Sequence, residues 1–230
     1  MTDIAAGGQL AGITFVVTAT SRMDLAIHHL LGAAAFARDV RAIEKEHANE
    51  PYGKFAEPIL WRSSACVMSC VAGLEAFANE MFVDRSRHFP SLTSPVSDKL
   101  WELLEQKPLL EKFDMALLLR EKSVLDRGAG PTQGASVLIK LRNALTHFKP
   151  EWNHQQGEHA KLTRDLAGRF APSPFLPDAG SLFPRRWASA AACEWSVRTS
   201  VEFLSAFEAA ADLPSRVEAF KPRLALGTAS

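Results

Sequence analysis

The amino-acid sequence predicts an all-α chain, an up-and-down helical bundle carrying a short N-terminal arm. Three observations lead there. Apolar residues recur at helical spacing over long stretches, prolines and glycines mark the joints between them, and no alternation of strand-like and helix-like segments runs along the chain. The expected layout is an arm over 1–20, one bundle over 21–213 and a tail over 214–230 that frays.

The elements follow in order. Residues 13–18 (Ile-Thr-Phe-Val-Val-Thr) are rich in β-branched side chains and read equally as a short strand or as an ordered arm. A helix starts near Ser21, which caps it, with Asp24 in its first turn; Met23, Ile27, Leu30, Ala34, Ala37, Val40 and Ile43 form its apolar face. A second helix covers 58–84. Val67, Cys70, Leu74, Phe77 and Met81 step by three and four, and Met68, Val71, Ala72, Ala76 and Phe82 widen the apolar sector. Ser69, Gly73, Glu80 and Asp84 form its polar edge, so this helix belongs at the centre of the bundle. Shorter helices are expected over 97–106 and 109–120. The next runs over 133–148 and stops before Pro150. Another covers 158–170. The last long helix covers 184–211, with Pro184 in its first turn and Trp187, Ala190, Val197, Val201, Leu204 and Phe207 facing the core.

Composition narrows the function classes. The 230 residues are 47% hydrophobic and 23% charged, which excludes a disordered chain, a collagen and a disulfide-stapled miniprotein. Lys and Arg number 26 and Asp and Glu 26, so the chain is not a polybasic nucleic-acid coat. No apolar run reaches the roughly 18 residues of a membrane helix, and the early run 11–19 has no positive charge before it. A cytoplasmic protein with no membrane partner is expected. Cys66, Cys70 and Cys193 are too few and too scattered for a disulfide framework and read as buried small residues. His154 and His159, taken with His147, lack the carboxylate–histidine spacing of a metal site, so neither a metal nor another cofactor is expected.

The informative stretch is Leu141-Arg142-Asn143-Ala144-Leu145-Thr146-His147-Phe148-Lys149-Pro150. Val137, Leu138, Leu141, Ala144, Leu145 and Phe148 share the buried side of its helix. Arg142 stands at the edge of that face. Asn143 and His147 lie one turn apart on the far side, beside Ile139 and Thr146, and Arg142 is long enough to bend toward His147. A permanent cation, an amide and an imidazole on one helix suit a phosphodiester: arginine grips phosphate oxygens, and histidine exchanges protons near neutral pH. RNA carries its own nucleophile, the 2′-hydroxyl, so such a set needs no metal. Glu75 and Asn79 sit one turn apart inside the apolar sector of the second helix. If buried they require partners, and Arg142 is the best candidate. From Lys140 to Arg169 the chain is locally basic, by +3, within a neutral protein.

The segment Arg142-Asn143-Ala144-Leu145-Thr146-His147 resembles the signature of the HEPN superfamily: Arg, a polar residue, a short spacer and His near a helix end. Leu74-Glu75-Ala76-Phe77-Ala78-Asn79-Glu80 also resembles the matching helix of such proteins. The resemblance implies a HEPN-like bundle, commonly a homodimer whose two motifs meet in one composite site. It further implies Arg142 and His147 as catalytic residues, Asn143 as their polar neighbour, RNA as substrate, and a toxin–antitoxin or phage-defence setting with a matching partner. The expected function is a metal-independent endoribonuclease; the alternative is a non-catalytic HEPN-like interaction or RNA-binding module.

Overall fold

The computed structural model describes residues 2–10 and 13–21 as backbone, together with 23–152, 157–178 and 180–226. The N-terminal arm is a hairpin: β1 (Thr2–Leu10) pairs antiparallel with β2 (Ile13–Ser21) in a register that sets Thr2 opposite Ser21 and Leu10 opposite Ile13. Among the described residues every regular element after it is helical, and the chain is an all-helical bundle.

The core is made by α1 (Ala26–Glu46), α2 (Ala56–Val83), α6 (Gly130–Thr146) and α8 (Ala190–Ala210). Side-chain contacts fix their directions. The start of α1 meets the end of α2, where Glu80 Oε1 accepts the Leu25 and Ala26 amides at 2.7 and 2.9 Å. On α2 and α6, Glu75 meets Arg142 while the earlier Met68 meets the later Thr146, so these two are antiparallel. On α2 and α8, Cys66 meets Cys193 while Phe77 meets Phe207, so these two are parallel. The result is up, down, up, down. Around this frame pack α3 (Arg85–His88), α4 (Ser94–Leu104), α5 (Leu109–Leu118), α7 (Ala160–Leu166) and α9 (Lys221–Leu224).

The second helix is the central one, as its wide apolar sector demands. Its 18-residue window of mean hydropathy 1.4 makes it long and apolar enough to cross a membrane, contrary to the expectation that no stretch reaches that length. In the bundle this surface is covered by α1, α6, α8 and α5. Phe77 and Phe113 sit 6.2 Å apart, and Phe113 meets Phe203 and Phe207 edge-on at 4.9 and 4.7 Å. Cys66, Cys70 and Cys193 are buried free thiols. Hydrogen bonding to Cys193 and Cys70, then burial, push the Cys66 thiol up.

Several expectations are corrected. The first helix begins at Ala26, not Ser21, which ends β2. Leu25 holds the capping position without a side-chain cap, and Glu80 from α2 supplies the acceptor. Met23 is therefore exposed rather than in the core. Gly73 is buried, not part of a polar edge: a Cβ there would stand 3.0 Å from the Ala26 carbonyl and from Leu30, so glycine lets α1 and α2 close together. The last long helix starts at Ala190. Before it, Leu182–Arg186 forms an irregular turn with Phe183 extended and a cis peptide to Pro184. Ser189 then caps α8 through the Ala192 amide at 3.1 Å, and Glu44 accepts the Ala190 amide at 2.9 Å. The tail is docked as far as it is described: Val217 and Leu224 are buried, and α9 packs on α1, while 227–230 lie outside the described residues.

Candidate functional site

The motif helix α6 begins at a Gly130-Pro131 step after extended Ala129, with Asp126 and Gln133 bonding the preceding turn. It ends at Thr146, two residues short of the expected Phe148. His147 occupies the capping position (φ −112°, ψ 41°), and its amide donates to the Asn143 carbonyl at 2.8 Å. Pro150 cannot continue the helix. Phe148 consequently leaves the core side of α6, half-exposed, and stacks on His159 with centroids 5.2 Å apart.

Arg142 lies on the flank of α6 that faces α2. Its Nη2 donates to Glu75 Oε1 at 3.1 Å, with 27% of the Arg142 side chain and 42% of Glu75 exposed. The pairing follows from the position of Glu75 on α2. It also draws the guanidinium toward α2, where the sequence reading allowed it to bend toward His147. Guanidinium has five N–H donors. Among the described residues one is used here, and Nε is buried without a hydrogen-bond partner. Asn79 does not reach α6. Its Oδ1 accepts from Lys112 Nζ on α5 at 3.1 Å, and that buried ammonium lies 5.7 Å from the Trp101 ring centroid. Asn79 thus fastens α5 to α2 rather than supporting the motif.

His147 and Asn143 are exposed, and among the described residues neither side chain has a hydrogen-bond partner. Asn143 meets His147 through its backbone carbonyl, not through its amide. Thr146 turns back, donating to the Arg142 carbonyl at 3.0 Å and lying 3.7 Å from Met68 Sδ. Ile139 is half-buried and packs on the core, so it is not the fully exposed apolar residue that the far side of the helix was expected to present.

The local basic charge is partly neutralised. Lys140 pairs with Asp165 and Lys149 with Glu158, each at 2.8 Å. These lysines hold the carboxyls of Asp165 and Glu158 below the usual range, and Glu158 raises Lys149. His159 is buried, and its Nε2 donates to the Lys149 carbonyl at 2.9 Å. That role, closing the chain onto the end of α6, was not read from the sequence; its spacing of eleven from Phe148 carries no periodic signal. His154 lies outside the described residues, and among those described no cluster of three His, Cys, Asp or Glu side chains is placed to hold a metal. Trp187 and Trp195 are buried in the core, while Trp152 is 72% exposed.

No protein-family model, curated protein or solved structure matches the chain. What the arrangement can do follows from its side chains: a guanidinium with spare donors beside a carboxylate, and an exposed amide and imidazole on the last turn of the same helix.

Proposed function

We propose that the chain is a HEPN-like, metal-independent endoribonuclease acting in the cytoplasm, as a homodimer, in a toxin–antitoxin or phage-defence setting. The observation that carries this reading is His147, exposed and unbonded among the described residues, at the end of the helix that also holds Arg142. A histidine kept for packing would be buried or bonded, as His159 is. In the proposed reaction an imidazole accepts the 2′-hydroxyl proton. The 2′-oxygen forms a bond to phosphorus, the bond to the 5′-oxygen breaks, and an imidazolium returns a proton to that oxygen. The products are a 2′,3′-cyclic phosphate and a 5′-hydroxyl. Arg142 holds the non-bridging oxygens as their charge develops. Base and acid are distinct tasks, and a two-fold axis bringing two copies of His147 together supplies both. Such an interface should bury more than about 1,000 Å².

The test is cleavage of a mixed RNA by the wild type with and without chelator. Cleavage that survives chelation, leaves cyclic phosphate ends and disappears in His147→Ala supports the proposal. A second reading, a non-catalytic HEPN-like RNA-binding or interaction module, is favoured by one observation: Glu75 already neutralises Arg142. RNA binding without cleavage would put that reading ahead.

A further inference from the structure

Beyond the end of the motif helix lies a cavity of about 420 Å³, bounded by Glu151, His159, Thr163, Arg164, Ser181 and Phe183. Its size falls in the range of about 300–1,000 Å³ usual for small-ligand sites. It shares a wall with the motif, because His159 stacks on Phe148, the residue after His147, and bonds the Lys149 carbonyl. The back is closed: Thr163 Oγ1 donates to the Phe183 carbonyl at 3.1 Å, and His159 lies edge-on to Phe183 at 5.1 Å.

The polar groups around this cavity are unevenly committed. Arg164 is exposed on α7 and its side chain has no ion-pair or hydrogen-bond partner among the described residues, whereas neighbouring Lys140 and Lys149 are both paired. Glu151 is half-buried. Its Oε2 accepts the Glu158 amide at 3.0 Å, which fixes the carboxylate in place and leaves Oε1 without a partner among the described residues. The Ser181 hydroxyl is also unbonded among them. A fixed carboxylate accepts from a base edge that offers adjacent N–H donors. Guanine offers two, at N1 and N2. Adenine and cytosine place an acceptor nitrogen at the corresponding ring position, and uracil offers one N–H between two carbonyls. A free guanidinium nearby takes a phosphate, and bases of single-stranded RNA are read on this edge.

We propose that this cavity is a nucleotide subsite that takes a guanine nucleotide of the RNA strand, Glu151 meeting the base and Arg164 the phosphate, and so sets where cleavage falls. The assignment rests on the ribonuclease reading, but binding tests it separately from cleavage. The full chain is titrated calorimetrically with GMP, AMP, CMP, UMP and inorganic phosphate. GMP should bind about tenfold more tightly than the other nucleotides and than phosphate. Arg164→Glu should weaken GMP by tenfold or more, and Glu151→Gln, which keeps an acceptor for the Glu158 amide, should remove the preference for guanine. Ser181→Phe, which fills the cavity, should abolish binding, with melting curves confirming that each variant is folded. Equal affinity for all four nucleotides, binding of phosphate as tight as GMP, or GMP binding indifferent to Arg164→Glu and Ser181→Phe would overturn the subsite. If GMP binds as described but no RNA is cleaved, the guanine-nucleotide site stands, while its role in placing cleavage falls together with the ribonuclease reading. If RNA is cleaved through His147 without base preference and GMP does not bind, the reverse holds.

Discussion

The helix-end contacts where α1 begins and the last turn of α6 at the opposite end of the bundle use their polar side chains differently. At the end where α1 begins, Glu80, Arg120, Glu208 and Arg216 are bound into the fold. Glu80 accepts two amides of α1 and pairs with Arg216, whose guanidinium lies 4.8 Å from the Phe77 ring centroid. Arg120 donates to the carbonyls of His88 and Ala211, and buried Glu208 takes the Ser215 hydroxyl and the Arg216 amide. At the end where α6 stops, Arg142 has one carboxylate partner, while Asn143 and His147 have none among the described residues. Buried polar groups without partners are costly, so charge committed to the fold is bonded. Exposed groups left unbonded on a rigid helix cost little and stay available to a ligand. The difference separates a clasp from the proposed site.

The largest structural effect should follow from breaking the clasp. Glu80→Ala leaves two helix amides and Arg216 without their acceptor. A loss of about 3 kcal/mol is expected from the unsatisfied groups, visible as a lower denaturant midpoint and a melting point reduced by roughly 6–12 °C. If Glu80→Ala melts like the wild type, the distinction between the two ends fails. Gly73→Ala should be next, at about 1–3 kcal/mol, because its Cβ would stand 3.0 Å from the Ala26 carbonyl, which cannot rotate away. At the motif end the same measurements should move little. Glu75→Gln removes an ion pair that is 42% exposed on the carboxylate side, and a change of under ~1 kcal/mol is expected.

The smallest effects are in pH dependence, and they have opposite signs. Burial, then the charge of Arg87, holds the His88 imidazole below its ordinary value of 6.5. The unfolded chain therefore takes up this proton first, and the stability that His88 contributes is lost as pH falls from 6.5 through the lowered folded value. Burial raises the Glu44 carboxyl above 4.5 against the opposing Ala190 amide and Arg41. Here the folded chain binds the proton more tightly, so stability falls as pH rises from 4.5 through the raised value. Melting points of His88→Gln and Glu44→Gln across pH 4–8 should each lose one of these slopes. If Glu44→Gln destabilises the chain only above its folded titration, the sign is wrong.

How far these features were legible in the sequence depended on the range of the interactions behind them. The apolar sector of α2 is a local periodic pattern, so its central place could be read directly; Glu75 does meet Arg142, but with 42% of its side chain exposed rather than inward. The start of α1 could not be read, because its acceptor is Glu80, 54 residues from Ala26. Gly73 looked polar by its place on the helix wheel, yet only the approach of a neighbouring helix explains it. Asn79 was inward-facing as read, but Lys112 on α5, not Arg142, is its partner. At the motif, helical spacing put Asn143 and His147 off the core face. It did not show that α6 ends at Thr146, which turns Phe148 out onto His159, a residue that bounds the adjacent cavity.

The most direct measurement pairs two readouts on one variant. His147→Ala is assayed for RNA cleavage in chelator and, in the same buffer, for thermal unfolding. A fall in cleavage of about 10²–10⁴-fold with stability within the ~0.5 kcal/mol typical of surface substitutions, a melting-point shift of about 1–2 °C, is the expected result. His147→Ala cleaving RNA as fast as the wild type, or losing activity only in step with unfolding, would contradict the claim that this end of the bundle is kept for chemistry.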